Sequence, residues 1–153
     1  MNVDSRVAIL VDTNILVYFC DGRDLRKREH AVHVLREGQI SGEMRLAHQS
    51  LSEFMHSVTR TRGDSGVPLM TRENATRQAE YFLREFPILY PDDQVFRTAL
   101  LGMGAYKLSW FDAHLWAYAE RYGIPEILSE DFQHGRMYGH VKMRNPFLEL
   151  GLA

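Results

Sequence analysis

The stretch Val7-Ala8-Ile9-Leu10-Val11-Asp12-Thr13-Asn14-Ile15-Leu16 decides the fold. Its first five residues are a continuous apolar run rich in β-branched side chains, the pattern of a central parallel strand covered on both faces. Asp12 closes the run, and Thr13 and Asn14 are suited to cap a helix that begins at Ile15. Ligands of open α/β sheets bind at the carboxyl ends of the strands, so a charge placed there faces a site rather than the core. Asp12 alone would serve equally well as a strand end and a helix cap. Its meaning depends on whether other acidic residues stand in similar settings.

Working outward, 153 residues with 45 % hydrophobic content are enough for one domain, residues 1–153, with its own core. The balance of 18 basic against 20 acidic residues argues against a generally cationic coat for nucleic acid but leaves room for a local basic patch. The lone Cys20 excludes an internal disulfide and a multi-cysteine zinc site, in keeping with a reducing cytoplasm. No apolar stretch approaches the ~20 residues that span a bilayer. The opening M-N-V-D-S-R lacks the charged and apolar regions of a signal peptide. The expectation is a cytoplasmic protein without a membrane partner.

Further along, D-G after Cys20 marks a turn, and Asp24 caps a helix over Leu25 to Glu37 that closes on Glu37-Gly38-Gln39. Arg23, Arg26, Lys27 and Arg28 crowd its start, where they oppose the helix dipole. A solvated charged turn accounts for them, and so does contact with a phosphate backbone. Met44 to His48 reads as a short strand, and Ser50 with Glu53 forms an S-x-x-E capping box. That position, just after a strand, also places Glu53 on the sheet edge of Asp12. Helices over Thr71 to Glu85 and from Asp92-Asp93 flank a brief strand at Ile88 to Tyr90, the second helix loosening at Gly102 and Gly104. Ser109 caps a helix that ends at Tyr122-Gly123 and carries Asp112 in its first turn. Glu126 to Ser129 is a strand running into Glu130-Asp131, and Val141 to Met143 an edge strand. This alternation predicts an α/β fold, a mostly parallel central sheet flanked by helices on both faces.

Such a sheet brings Asp12, Glu53, Asp112 and Asp131 to one edge. Two carboxylates ~4 Å apart repel by about 4 kcal/mol at an effective dielectric of 20, so a convergent set retains protons or holds a cation. An all-oxygen set favours Mg²⁺ or Mn²⁺ over zinc. A site of that kind activates water and stabilises charge on a phosphoryl oxygen, which makes a phosphodiester or phosphate the expected substrate.

At these stretches the sequence resembles the PIN-domain family, specifically the VapC-type toxin ribonucleases of bacterial toxin–antitoxin pairs. The resemblance rests on V-D-T-N at Val11 to Asn14, S-E-F at Ser52 to Phe54, L-S-W-F-D-A at Leu108 to Ala113 and L-S-E-D-F at Leu128 to Phe132. It extends to H-G at His134-Gly135 and N-P-F at Asn145 to Phe147. It implies a Mg²⁺- or Mn²⁺-dependent endoribonuclease, a homodimer, and an antitoxin partner that blocks the site, often with a C-terminal segment. Asp12, Glu53 and Asp112 match the family's acidic core and Asp131 its fourth carboxylate, with neighbouring Glu130 able to substitute for it. Asp12 and Asp112 are then expected as direct ligands, with Glu53 and Asp131 as ligands directly or through water, or as orienters of the attacking water. Thr13 or Ser129 is expected to hydrogen-bond a phosphate or a water, and Asn14 to cap. Arg23, Arg26, Lys27 and Arg28 are the candidate contacts to RNA. The apolar face of Phe54, Met55 and Val58 either receives the antitoxin segment or packs in the core.

Other readings compete. Seven histidines allow a ribonuclease of the general acid–base kind, although they show no motif spacing. An aspartyl-phosphate phosphatase of the haloacid dehalogenase type shares the acid after the first strand, but Asn14 stands where its D-x-D pattern needs a second acid. A PIN-like module that binds RNA or a protein without cleaving is the non-enzyme alternative, and the presence of all four carboxylates argues against it; a PIN nuclease of RNA maturation with no antitoxin would share these motifs with a toxin.

Overall fold

The computed structural model describes residues 8–63 and 66–151. Val7, the first residue of the opening apolar run, lies outside them. The strand it leads into, β1 (Ile9–Val11), sits at the middle of the sheet and pairs in parallel with β2 (Met44–Ala47) on one side and β4 (Glu126–Leu128) on the other. The full strand order is β3-β2-β1-β4-β6-β5, where β3 is Ile88–Leu89, β5 Met137–Tyr138 and β6 Val141–Arg144. Every pairing is parallel except that of β5 with β6. The chain moves outward from β1 to β2 and β3, then returns to β4 on the other flank. The β1–β4 boundary is therefore the point where strand order reverses, the usual place for a ligand crevice. The edge is β5 rather than β6, because the turn at Gly139, with φ +59°, folds the chain back to add an antiparallel strand outside β6.

Helices cover both faces. On one, α1 (Thr13–Cys20), α2 (Leu25–Ser41), α3 (His48–Thr59) and α4 (Arg72–Glu85) pack Ile15, Leu16, Leu35, Phe54, Val58 and Phe82 onto Val11, Leu46 and Leu128. On the other, α5 (Asp93–Tyr106) and α6 (Trp110–Tyr122) bury Val95, Ala99, Leu115 and Trp116 against Leu10, Ile127 and Met143. Burial of these large apolar side chains, each stabilising by about 1.5–3 kcal/mol, holds the layers together. Phe54 and Val58 are fully buried, so this face belongs to the core rather than to an open groove.

Four of the expected boundaries move. α2 does not close at Gly38 but continues to Ser41, with Gly42 in the left-handed conformation as its stop. Gly38 serves packing instead, since a Cβ there would meet the Met44 side chain at 1.8 Å. α5 likewise runs through Gly102 and Gly104 to Tyr106, and Gly102 makes room for the Trp116 ring, 2.6 Å from where its Cβ would stand. The Ser50–Glu53 capping box does not form. α3 starts earlier, at His48, with Ala47 at its N-cap and no side-chain bond there, so Ser50 lies inside the helix, fully buried. At α1 the cap is Asp12 itself, whose carboxylate accepts the Thr13 N–H, and the helix starts at Thr13 rather than Ile15.

Candidate metal centre

Three carboxylates meet at the β1–β4 crevice. Asp12 ends β1, Asp112 sits in the first turn of α6 with its N–H bonded to Ser109 Oγ at 3.3 Å, and Asp131 follows β4. One oxygen from each lies within 4.8 Å of the others. Asp12 is buried, Asp112 half-buried and Asp131 exposed, so the cluster opens towards solvent on the Asp131 side. Glu53, half-buried on α3, faces the group closely enough for its charge to act on Asp12.

The backbone holds Asp12 in place, its N–H donating to Leu128 O at 2.9 Å. Its Oδ1 accepts the Thr13 N–H at 2.7 Å and its Oδ2 the Ser129 hydroxyl at 2.6 Å. Burial nevertheless pushes its carboxyl up to about 7, the Ser129 and Thr13 bonds pulling it down and the Asp131 and Glu53 charges adding to the rise. Glu53 and Asp112 are also held above their usual range, chiefly by burial. The cluster carries unbalanced negative charge in a partly dry setting, and a divalent cation with a preference for oxygen ligands fits it.

Asn14 is no cap. Its side-chain N–H₂ donates to Asp131 Oδ2 at 3.0 Å and Ser129 Oγ at 3.3 Å and stands 3.5 Å from Asp12 Oδ2, linking the two strand-end carboxylates. Ser129 Oγ also accepts the Asp131 N–H at 3.0 Å. The Ser129 proton is committed to Asp12, and the Thr13 hydroxyl points to Ser50 O at 3.5 Å. Glu130 turns away from the cluster: its carboxylate accepts from Tyr18 OH at 2.7 Å and from Lys27 Nζ at 3.0 Å. Asp131, not Glu130, is the fourth residue the fold brings to the site.

Gln49 carries no sequence signal, because a capping box at Ser50 and Glu53 places it before the helix. With α3 beginning at His48, Gln49 lies four residues before Glu53, the spacing that puts two helical side chains side by side. Its amide donates to Glu53 Oε1 at 2.6 Å.

A cleft of about 360 Å³ along one face of α1 is lined by Asn14, Tyr18, Asp21, Arg23, Glu53 and Asp131 among others, and so meets the site at Glu53 and Asp131. No histidine lines it among the described residues. Of the four candidate cations, Arg23 stands in this cleft, held by Asp21 through bonds of 2.7 and 2.8 Å. Lys27 is tied to Glu130 and Tyr18, Arg28 Nε reaches Phe19 O at 3.4 Å, and Arg26 is exposed. A larger cavity of about 690 Å³ lies at the amino ends of β1 and β2, lined by Ile9, Val34, Glu37 and Met44, and contains none of the four carboxylates.

Residues 9–139 match the family model of the PIN domain. The chain belongs to the PIN-domain family. Its fold is shared by solved structures of low sequence identity. A chain of the toxin–antitoxin complex from Klebsiella pneumoniae superposes with a TM-score of 0.64 at 17 % identity, over 91 % of this chain and 98 % of that one. A chain of DNA-bound VapBC from Salmonella typhimurium gives 0.67 at 13 % identity, over 92 % and 98 %. VapC20 of Mycobacterium tuberculosis, described as a sarcin–ricin loop cleaving toxin, gives 0.61 at 17 % identity, over 81 % and 90 %. No curated protein matches the sequence itself. As a PIN domain, this chain has the α/β sheet with helices on both faces that its alternation of elements predicts.

Proposed function

We propose that this PIN domain, residues 1–153 taken as one unit, is a Mg²⁺- or Mn²⁺-dependent endoribonuclease and the toxin of a toxin–antitoxin pair, acting in the cytoplasm. The observation that carries the reading is the convergence of Asp12, Asp112 and Asp131 oxygens within 4.8 Å at the sheet's switch point. Neighbouring folds come from VapBC complexes and include a toxin described as cleaving the sarcin–ricin loop. Among the described residues no helix is long and apolar enough to cross a membrane.

Asp12, Asp112 and Asp131 would hold the cation, with Glu53 beside them as a further ligand, directly or through water. When bound, such an ion neutralises charge on the phosphoryl group and makes a water more acidic. Glu53 orients the attacking water and receives its proton, a role helped by a carboxyl that burial holds above its usual range. In-line attack on phosphorus releases the 3′ oxygen and makes no use of the 2′-hydroxyl, so preference for RNA comes from the shape of the cleft and the single-strandedness of the substrate. Arg23 in the cleft, with Arg26 and Arg28 on the exposed start of α2, contacts the phosphate backbone, and Lys27 braces the cleft wall through Glu130. The antitoxin would cover the same cleft. Exposed Phe96 and Leu100 on α5, with Asp93 and Arg97 beside them, offer a self-complementary face for a homodimer.

The test is cleavage of a mixed cellular RNA pool by the purified chain with Mn²⁺, with chelator, and with an Asp112→Asn variant prepared identically. Activity lost with both chelator and variant is the expected result. Activity unchanged in the variant overturns the assignment of Asp112, and Mn²⁺ binding without any cleavage replaces the nuclease with a silent binding module.

A further inference from the structure

We infer that Gln49 is a positioning residue of the centre, one amide group that fixes Glu53 and the Asp112 end of α6 relative to each other. Gln49 is nine-tenths buried at the start of α3. The two hydrogens of its Nε2 go to two different elements: to Glu53 Oε1 at 2.6 Å, one turn on in the same helix, and to Phe111 O at 2.9 Å, in the first turn of α6. The residue after Phe111 is Asp112. A single planar group therefore sets both the rotamer of the α3 carboxylate and the distance from α3 to the turn that carries the α6 carboxylate.

The orientation of the amide is decided by these two acceptors. Its Oε1 is buried and has no hydrogen-bond partner, an arrangement that costs free energy. Flipping the group would be worse, because it would put a carbonyl oxygen against a carboxylate and a second carbonyl. The unpartnered oxygen thus marks a side chain retained for its donors rather than for balanced hydrogen bonding. Groups that orient metal ligands in this way generally change metal affinity by about 10–100-fold when removed. Through Gln49, the spacing of the carboxylates is set by α3 and α6 together and does not depend on a cation to draw them in.

This inference rests on the divalent-metal reading above, and its test separates the two. Mn²⁺ affinity of the full chain is measured by calorimetry at fixed pH for the parent, for Gln49→Met, which keeps volume but has no donor, and for Gln49→Asn, which withdraws the amide by one carbon and serves if the first variant does not fold. Metal-free thermal midpoints are recorded alongside. The expected result is a parent that binds Mn²⁺ and variants that bind about tenfold more weakly, with the loss reduced when Glu53→Gln is introduced first, since one of the two Gln49 bonds acts through that carboxylate. A parent that binds no Mn²⁺ overturns the metal centre itself. A parent that binds, with variants that lower the thermal midpoint but bind Mn²⁺ as tightly, overturns the positioning role and leaves Gln49 a packing residue. An affinity loss that persists undiminished in the Glu53→Gln background overturns the Glu53 half of the role.

Discussion

The Ser129 hydroxyl donates a 2.6 Å hydrogen bond to Oδ2 of Asp12, joining residues 117 apart in the chain across the β1–β4 boundary. This bond favours the ionised form of a carboxylate that burial works to neutralise. Ser129→Ala is expected to leave the fold intact and weaken Mn²⁺ binding by about tenfold at neutral pH, the range seen when a ligand loses an orienting partner. Calorimetric titration checks it, and unchanged affinity would show that the bond holds the strands together without tuning the ligand.

The metal-free chain should lose stability as pH rises. The folded-state value of Asp12, about 7, lies above its ordinary 3.8, so the native state binds more protons than the unfolded state between those values. The stabilisation is complete below about 4 and gone above about 7. It amounts to on the order of 4 kcal/mol at most. Glu53 and Asp112, shifted in the same direction, add to the slope. Thermal midpoints in chelator at pH 5 and pH 8 should fall with pH for the parent and fall less for Asp12→Asn, while Mn²⁺ should raise the pH 8 midpoint of the parent alone. Parallel pH profiles would mean that Asp12 is ionised at both values.

The neighbours Glu130 and Asp131 should separate cleanly. Asp131→Asn is expected to reduce both Mn²⁺ affinity and RNA cleavage by tenfold or more. Glu130→Gln should leave Mn²⁺ affinity within twofold while destabilising the fold by about 1–2 kcal/mol, because it removes the counter-charge of a part-buried Lys27 and leaves it the neutral Tyr18 hydroxyl. Denaturant unfolding and metal titration of the two variants read this directly. The reverse assignment would exchange the outcomes.

At Gly102 packing and helix propensity oppose each other. Alanine inside a helix ordinarily gains about 0.5–1 kcal/mol over glycine. Here the added Cβ would stand 2.6 Å from the Trp116 ring, and that ring is pinned by its N–H to Tyr138 O at 2.9 Å. The clash outweighs the propensity, so Gly102→Ala should destabilise by about 1–2 kcal/mol. A rise in the denaturation midpoint would show that the indole moves aside at little cost.

What the chain disclosed beforehand followed from its periodicities. The run ending at Val11 and the strand at Glu126 to Leu128 are readable because both faces of a parallel strand are apolar, and Asp12 and Asp131 stand out as charges just beyond such runs, Glu53 and Asp112 as acids in the opening turns of helices. Glycine misled twice: Gly38 and Gly102 read as helix ends, whereas each makes room for a large side chain from another element, a tertiary fact with no local trace. Gln49 and Asn14 were obscured for a related reason. Their amides act across elements, on Phe111 O and Asp131, and only the start of α3 at His48 reveals that Gln49 and Glu53 are one turn apart. Arg23 has its partner Asp21 two residues away, within reach of a sequence reading, whereas Lys27 pairs with Glu130, 103 positions on, which only folding reveals.

The strand β1 is hydrogen-bonded along both flanks, whereas Asp131 lies just past the last residue of β4, on the exposed side of the cluster. The centre consequently has an unyielding half and a compliant one. Amide protons of Leu10 and Val11 should exchange with solvent among the slowest in the chain, on the timescale of global opening, and that of Asp131 by local fluctuation. Breaking the exposed Asp131–Asn14 hydrogen bond would leave β1 untouched, so Asp131 is the yielding member of the cluster and Asp12 the anchored one.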